Sequence, residues 1–328
     1  MLDELDRALV HALHLDGRAP FARIPQVLGV STQTVTRRYQ RLQRDAGLRV
    51  VALPGFDRPD ATRWLVRLTA APATAGELAR SLARRTDTSW VRLTAGGTEI
   101  VTMVDAVHAN DGSGAPSLLL HDLPRTSSVT AVSAHALLHV YRGGPSAWPG
   151  RAQALSPEQQ RQLRPPEPAP AANERLRAPD EQRMIAVLRR DARAGYAELA
   201  SACGQTAATA ARHLARLRAG GAIFFDVDID ESHLGIGTRA LLWLTAAPAY
   251  AERAGTALAT HSELAFVAAT TGTTNIVAQA LTPDPAALHG YLTGPLAAPR
   301  RPHRRVRPRP AHAERRRPPR RRGVADLA

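Results

Sequence analysis

The feature that most constrains the fold of this chain is an internal repeat. The segment DGRAPFARIPQVLGVSTQTVTRRYQRLQ from Asp16 aligns with DARAGYAELASACGQTAATAARHLARLR from Asp191 at a constant offset of 175 residues. Further along, TAGGTEIV from Thr94 matches TTGTTNIV from Thr270 at an offset of 176. Self-similarity at a fixed spacing indicates that one structural unit occurs more than once. We therefore predict two copies of a unit that contains two small domains.

The first part of each copy has the pattern of a helix-turn-helix. Leucines recur at helical spacing over residues 2–13, Gly29 breaks a second helix, and Ser31 is a suitable N-cap for a third helix that runs to about Arg44. Pro25 falls inside the second helix, where it removes an N–H donor and costs up to about 3 kcal/mol unless it lies in the first turn. A helix, a turn with glycine and a capped helix form the helix-turn-helix signature. The following VVALPGFD and IFFDVDID are predicted to be wing strands or connections into the next module.

The second part of each copy alternates strands and helices in the order βαββαβ, which is the ferredoxin-like arrangement. The predicted elements of the first copy are a strand at 64–70, a helix at 74–85, two strands around a Gly-Gly turn within 90–104, a helix at 117–123 and a strand at 129–140.

The predicted fold class is thus α+β, with two winged helix-turn-helix domains that are each followed by a ferredoxin-like domain, the second of which is truncated. Between the copies, a Pro-rich stretch indicates a linker with one short helix opened by Ser156. The predicted ranges are 1–55 and 179–232 for the helix-turn-helix domains, 60–142 and 237–298 for the ferredoxin-like domains, 143–178 for the linker and 299–328 for an Arg/Pro-rich tail.

The chain resembles the leucine-responsive Lrp/AsnC regulator family. The resemblance is carried by LDELDRALVHALHLDGR at the start, by SxxTVxRRxxRL from Ser31 to Leu42, and by TxGxxE or TxGxxN at the strand turn of each copy. It implies a RAM-type effector domain after each helix-turn-helix, recognition of double-stranded DNA by the third helix, and binding of an amino acid or similar effector near the strand turn. It also implies self-association through the sheets, as a homo-oligomer or as an intramolecular pseudo-dimer.

The third helix of each copy supplies the candidate DNA contacts. Gln pairs with adenine and Arg with guanine through two hydrogen bonds, and Ser or Thr suits phosphates or thymine methyl groups. The alternative is an ordinary solvated helix face. Alanines stand at 207, 208 and 211 where polar side chains would contact bases, so we expect the first copy to carry most of the sequence specificity. The candidates are Ser31, Gln33, Thr34, Thr36, Arg37, Arg38 and Arg41 in the first copy, and Thr206, Thr209, Arg212, His213 and Arg216 in the second.

The turn between the two middle strands supplies the candidate effector contacts. Its glycines permit positive φ angles and a close approach of backbone. A plain hairpin turn explains the same residues equally well. Glu99 is suited to a ligand ammonium group, whereas Asn275 is neutral, so the two turns need not bind the same molecule. The candidates are Thr94, Gly96, Thr98 and Glu99 in the first copy, and Thr270, Gly272, Thr274 and Asn275 in the second.

Other classes of site are not indicated by the sequence. Cys203 is the only cysteine, so a disulfide framework or a cysteine-based metal cluster within one chain is excluded. His11 and His14 stand at helical spacing, yet the second copy has Ala186 and Arg189 there, and no metal site is predicted. We predict no catalytic residues and no cofactor. No apolar run of membrane-spanning length occurs and the start is acidic, so the expected location is cytoplasmic, away from membranes.

Two alternative functions stay open. Chains that resemble this family with paired modules also act as decarboxylases on sirohaem-type tetrapyrroles, and an enzyme of this kind would use Arg92, His108, His135 and His139. These residues recur poorly in the second copy. The other alternative is a ligand-binding or scaffolding protein that does not bind DNA.

The tail accounts for most of the basic charge. The chain has a formal net charge of +14, and the tail from Pro299 contains twelve arginines against two acids. Charge alone therefore indicates only non-specific attraction to nucleic acid. The repeat requires an apolar last strand here, but prolines and like charges predict a disordered segment. Two interpretations stay open: a basic DNA-binding arm, or a shift of reading frame near Ala298.

Overall fold

The computed structural model describes residues 2–56, 61–107, 118, 122–144, 154–165, 179–297, 307–308 and 312–313. The chain divides into two compact units, and each unit takes one segment from each copy of the repeat. The head unit consists of residues 1–59 and 144–235, and the sheet unit consists of residues 60–143 and 236–328.

The described helices are α1 (Glu4–Leu15), α2 (Arg23–Leu28), α3 (Thr32–Asp45), α4 (Pro72–Ala83), α5 (Pro157–Leu163), α6 (Pro179–Leu188), α7 (Tyr196–Cys203), α8 (Ala207–Ala219), α9 (Pro248–Leu258) and α10 (Pro285–Thr293). The described strands are β1 (Arg49–Pro54), β2 (Ala61–Ala70), β3 (Thr88–Thr94), β4 (Glu99–Val107), β5 (Val129–Arg142), β6 (Ile223–Asp228), β7 (Thr238–Thr245), β8 (Leu264–Thr270), β9 (Ile276–Thr282), β10 (Arg307–Pro308) and β11 (His312–Ala313).

Local sequence signals explain the helix-turn-helix elements of the head unit. Helix α1 begins with a capping box in which Asp3 and Asp6 accept each other's backbone N–H. Helix α2 ends at Gly29, whose φ of 67° is the left-handed conformation that glycine adopts without strain. Pro25 lies in the first turn of α2, where its missing N–H removes no intrahelical bond, so the predicted penalty does not arise.

The two predicted wing strands pair with each other across the repeat. Strands β1 and β6 form an antiparallel two-stranded sheet whose register runs from Arg49 opposite Asp228 to Pro54 opposite Ile223. The pairing is nearly symmetric in the two copies, because the middle of β1 faces the middle of β6. The strands therefore join the two helix-turn-helix domains within the head unit.

The sheet unit has two four-stranded modules of the predicted topology. In the first module β2 is flanked by β4 and β5, with β3 beyond β4. In the second, β7, β9 and β8 repeat this order, and β5 joins the modules by pairing antiparallel with β8. Each module buries one apolar face under helical residues: α4 covers Val66, Leu68 and Ile100 in the first, and α9 and α10 pack on the second. The α+β fold class is confirmed, whereas most of the predicted helix 117–123 lies outside the described residues.

The second module keeps short remnants of the strand that the sequence predicts to be missing. β10 and β11 both pair antiparallel with β7. His312 stands opposite Leu241, just as His135 stands opposite Leu65 in the first module, and Ala-His-Ala occurs at both places. The prediction of a missing strand is therefore corrected to a shortened one. Proline is tolerated here because β10 lies at the sheet edge, where a lost N–H donor breaks no ladder.

Candidate DNA-binding helices and effector turns

Both third helices begin with the same cap. Ser31 accepts a hydrogen bond from the Thr34 backbone N–H at 3.1 Å, and the two hydroxyls lie 2.9 Å apart. In α8, Thr206 accepts from the Thr209 N–H at 3.2 Å, with 3.0 Å between the hydroxyls. The candidate DNA contacts Ser31, Thr34, Thr206 and Thr209 therefore fix the helix starts. The boundaries of α3 confirm the helix predicted from Ser31.

The remaining candidates on α3 fall into three groups. Gln33 and Arg37 are exposed and make no hydrogen bond or ion pair with the described residues. Thr36 turns its hydroxyl back to the Thr32 carbonyl at 2.9 Å. Arg38 and Arg41 are instead held by acids at the start of α1.

The acids that hold α3 are Asp3 and Asp6. Asp6 is buried and forms ion pairs with both Arg38 and Arg41, and Arg38 also pairs with Asp3. The hydrogen bond from Arg38 holds the pKa of Asp3 below its ordinary value. Because these guanidinium groups are already engaged, Arg38 and Arg41 fix α3 against α1.

Helix α8 offers fewer groups to a ligand. Arg216 pairs with the buried Glu181 of α6, which repeats the pair between Arg41 and Asp6. His213 is half-buried, and its Nδ1 has no hydrogen-bond partner among the described residues. Arg212 is exposed and donates to the Thr209 hydroxyl at 3.3 Å. Arg212 is thus the counterpart of Arg37.

Two arginines outside the predicted site residues join the two copies within the head unit. Arg18 donates to the carbonyls of Ala192 and Ala194, and Arg193 donates to those of Gly17 and Ala19. Arg18 and Arg193 align in the repeat, so the contact is reciprocal. Each guanidinium also stacks on an aromatic ring of the other copy, with Arg193 4.1 Å from the centre of the Phe21 ring and Arg18 5.0 Å from that of Tyr196. The identity of the two residues at an offset of 175 was the available sequence signal.

The linker helix α5 packs on the first helix-turn-helix. Its Gln159 donates to the Val27 carbonyl at 3.0 Å, and its capping box is formed by Ser156, as predicted. The Nδ1 of His11, which is almost fully buried, accepts the backbone N–H groups of Ala154 and Leu155 at 3.2 Å each. Burial, with smaller effects of the neighbouring cations, lowers the pKa of His11 to about 4. His11 is therefore a neutral structural acceptor.

The effector turn of the first copy is charged. Gly96 has a φ of 71°, and the Thr98 hydroxyl donates to the Ala95 carbonyl at 2.9 Å. Glu99 accepts two hydrogen bonds from the guanidinium of Arg67, one of them 3.0 Å long. Thr94 is buried, and its hydroxyl has no partner among the described residues. The turn therefore combines an ion pair with an unsatisfied hydroxyl.

The effector turn of the second copy is filled by the chain itself. The ring of His135 on β5 lies 2.8 Å from the Thr271 carbonyl, and a Cβ added at Gly272, whose φ is 114°, would come within 2.6 Å of that ring. The Thr270 hydroxyl donates to the Thr274 carbonyl at 3.3 Å. The amide of Asn275 both donates to and accepts from the backbone of Ala246, at 2.8 and 2.9 Å. Asn275 thus has a structural partner on each side of its amide.

The comparisons with known proteins agree with this geometry. The model of the AsnC-type helix-turn-helix domain matches residues 2–43, and the model of the winged helix-turn-helix DNA-binding family matches residues 181–223. The chain is Lrp/AsnC-like and tandemly duplicated. The two matches fall on the two helix-turn-helix domains of the head unit, so each copy carries a helix-turn-helix domain of a DNA-binding type.

Solved structures of similar fold cover both units of the Lrp/AsnC-like chain. The crystal structure of the siroheme decarboxylase NirDL aligns with 89% of this chain and 85% of its own, at 11% identity and a TM-score of 0.54. The same enzyme with an iron-uroporphyrin III analogue covers 85% and 81%, at 12% identity and a TM-score of 0.51. The structure of AsnC from E. coli, at 18% identity, covers 42% of this chain and 93% of its own with a TM-score of 0.32. No curated protein sequence matches the chain.

A structural likeness at such low sequence identity establishes the fold and leaves the activity open. Of the residues named for the enzyme alternative, Arg92 and His135 lie in the first module of the sheet unit. His139 is exposed and contacts the ring of Tyr141, and His108 lies outside the described residues. Across the described ranges, no group of three metal-ligating side chains and no helix able to cross a membrane is found.

Proposed function

We propose that the chain is a sequence-specific transcriptional regulator that binds double-stranded DNA as an intramolecular pseudo-dimer and responds to a small effector such as an amino acid. The observation that carries the proposal is the pair of identically capped helices α3 and α8, joined in one head unit. In helix-turn-helix proteins the third element enters the major groove with its first turns against the bases.

The contacts between the copies support the pseudo-dimer. Strands β1 and β6 pair in a nearly symmetric register, and Arg18 and Arg193 make reciprocal hydrogen bonds. A self-complementary contact of this kind is typical of twofold dimers, whose recognition helices address two half-sites on one face of DNA. One polypeptide therefore supplies both halves of the arrangement.

The two recognition helices are proposed to make different kinds of contact with DNA. Helix α3 presents Gln33 and Arg37, which carry the hydrogen-bonding groups that distinguish bases. Helix α8 presents Ala207 and Ala208 at the positions of Thr32 and Gln33, so its exposed Arg212 has no neighbouring polar side chain at these two positions. We therefore assign base recognition to α3 and mainly phosphate contact to α8.

The test is fluorescence anisotropy of the full chain on DNA from upstream of its own gene and on scrambled DNA, across a salt series. The full chain is used because residues 307–308 and 312–313 pair with β7. Replacing Arg37 with Ala is expected to weaken binding to the upstream DNA by roughly 5- to 150-fold and to change binding to scrambled DNA far less.

The matched control is Arg44→Ala, which removes the same charge at the far end of α3. It is expected to lower both affinities only slightly, through weaker phosphate attraction. Equal affinity for the two DNAs, or no binding, would contradict the proposal and favour a ligand-binding or scaffolding role.

The effector is proposed to bind beside the first turn, around Thr94, Gly96, Thr98 and Glu99. Both oxygens of Glu99 are held by Arg67, so Glu99 orients Arg67 and is less available to a ligand ammonium group than the sequence suggests. The second turn, with Thr270, Gly272, Thr274 and Asn275, is assigned a structural role because His135 and the Ala246 backbone occupy it.

A second candidate function is decarboxylation of a sirohaem-type tetrapyrrole. The observation that favours it is the fold likeness to the siroheme decarboxylase NirDL over both units. Arg92 and His135 are the candidate ligands of a tetrapyrrole on this chain. Titration with iron-uroporphyrin III, followed by absorbance, tests binding, and mass spectrometry of siroheme incubated with the full chain tests loss of CO2. A shifted absorption band together with a product lighter by CO2 would establish the decarboxylase activity. An unchanged spectrum would exclude this candidate function.

A further inference from the structure

We infer that the first module of the sheet unit holds a carboxylate-binding site built on Arg92 and Thr94, and that the second module lacks it. The inference rests on the proposed function, since it names the chemical group of the proposed effector and the side chains that hold it. Arg92 is not among the turn residues that the family resemblance selects.

Strand register places the site on one face of the sheet. Arg92 on β3 lies opposite Val101 on β4, and Arg67 on β2 lies opposite the same Val101 from the other side. Thr94 lies opposite Glu99 in the next row. Paired residues on neighbouring strands share a face. That face is the one turned away from α4, because α4 packs on the alternate residues Val66, Leu68 and Ile100.

Two buried donors on this face have no acceptor. The Nε of Arg92 and the hydroxyl of Thr94, a residue only 7% exposed, have no hydrogen-bond partner among the described residues. Native structures rarely leave such groups unsatisfied, and those that remain call for an explanation. Glu99 does not supply the acceptor, because both of its oxygens are bound by Arg67. The missing partner is therefore an acceptor brought by a ligand.

The charges on the face specify the ligand class. Arg67 and Glu99 compensate each other, and Arg92 forms no ion pair with a described residue, so one positive charge is left over. A guanidinium next to a hydroxyl matches a carboxylate, which accepts several hydrogen bonds and favours bidentate contact with arginine. The site selects an anion over a neutral amide of the same shape.

The second module provides an internal comparison at the same register. Ala268 stands opposite Val277 where Arg92 stands opposite Val101, and Trp243 takes the place of Arg67. The ring of Trp243 packs on His135 with 4.8 Å between ring centres. The Thr270 hydroxyl, unlike that of Thr94, has an acceptor in the Thr274 carbonyl. The face that carries free donors in the first module is thus apolar and satisfied in the second.

The experiment measures ligand binding to the DNA-free full chain by thermal shift and isothermal titration calorimetry. The probes are the proteinogenic L-amino acids in small pools, the corresponding amino acid amides, and iron-uroporphyrin III. We expect at least one carboxylate probe to bind and its amide to bind roughly 10-fold or more weakly, because the amide loses the charge-assisted hydrogen bonds. The probe that binds shows whether the carboxylate belongs to an amino acid or to a tetrapyrrole.

Variants assign the binding to the named side chains. Arg92→Ala is expected to weaken binding of that probe roughly 10- to 100-fold, Thr94→Val less, and Arg92→Lys to restore part of the loss through the retained charge. Arg80→Ala, an exposed arginine on α4, is the matched control and is expected to change nothing. The melting temperature without ligand shows that each variant is folded.

Three results would overturn the inference: amides that bind as well as the acids, undiminished binding to Arg92→Ala, or no binding of any carboxylate probe to the unmodified chain. None of them depends on DNA. Failure of the carboxylate site and failure of the proposed regulator function are therefore separate outcomes, since the latter is decided by the response of DNA binding to Arg37→Ala.

Discussion

The two copies of the repeat have the same contacts at the positions that hold the fold together. They have different side chains at the positions proposed to bind DNA or an effector. The reciprocal hydrogen bonds of Arg18 and Arg193, the β1–β6 pairing and the caps at Ser31 and Thr206 are present in both copies or shared by them. By contrast, the first copy has Gln33 and Arg92 where the second has Ala208 and Ala268. We therefore propose that the second copy serves chiefly as the structural partner of the first.

The largest expected effect concerns the acids under the recognition helices. Asp6→Ala removes a buried carboxylate that holds Arg38 and Arg41 and caps α1, so we expect a loss of about 2–4 kcal/mol in the free energy of unfolding. Glu181→Ala is expected to cost less, about 1–2 kcal/mol, because its partner Arg216 is 48% exposed and well screened. Urea denaturation measures both.

Glu77→Ala on the exposed face of α4 is the control for removing an acid, with an expected change within about 0.5 kcal/mol. Equal losses for Asp6 and Glu181 would show that the first recognition helix is held no more firmly than the second.

The next effect is a pH dependence that only the first copy has. His11 is neutral and buried in the folded chain with its pKa lowered to about 4, whereas in the unfolded chain it takes up a proton near its ordinary pKa of 6.5. The unfolded state therefore binds more protons as the pH falls from about 6.5 to about 4, and stability is lost over that window. The full loss amounts to about 3 kcal/mol.

His11→Asn keeps an acceptor for the linker N–H groups and removes the titration. The difference in unfolding free energy between the two proteins, measured from pH 7 to pH 4, isolates the histidine from the carboxylates. The second copy has Ala186 at this position and contributes no corresponding term. A difference that does not change with pH would contradict the role of His11.

The smallest expected effect compares Arg37 with Arg212 in DNA binding. Arg212→Ala is expected to weaken binding to specific and scrambled DNA alike, by roughly 2- to 5-fold, as the loss of one phosphate contact does. Arg37→Ala is expected to act mainly on the specific DNA. Anisotropy at two salt concentrations separates loss of a phosphate contact from loss of a base contact. Equal losses of specificity in the two variants would contradict the proposed difference between the helices.

Much of the fold was predictable because its signals are local. Ser31 and the apolar spacing placed α3 within one residue of its observed ends, and the repeat placed the second copy without separate evidence. The resemblance implied self-association through the sheets, but the strand pairs that join the copies were not predictable. The pairs β1–β6 and β5–β8 connect residues far apart in sequence, and the pattern of a strand does not encode its partner. The remnant strand of the tail was missed because its prolines outweighed the repeated Ala-His-Ala.

The sequence predicts which residue types form the candidate sites. It does not show which of their charged groups are left unpaired and so available to a ligand. Arg38 and Arg41 have the same sequence signature as Arg37, yet Asp6 holds them, and only the packing of α1 on α3 reveals this. Likewise, Glu99 looks like a ligand group until its pairing with Arg67 is known. Ion pairs between distant elements decide which charges remain for a ligand, and a single sequence does not give those distances.

Selection of bound sites from random DNA by the full chain tests whether one recognition helix specifies the sequence while the other anchors the protein. We expect an asymmetric site in which a strongly defined half-site lies next to a weakly defined one. The preferred bases of the strong half-site are expected to be lost in the Arg37→Ala variant. A symmetric palindrome with equal definition in both halves, or no enrichment at all, would contradict this expectation.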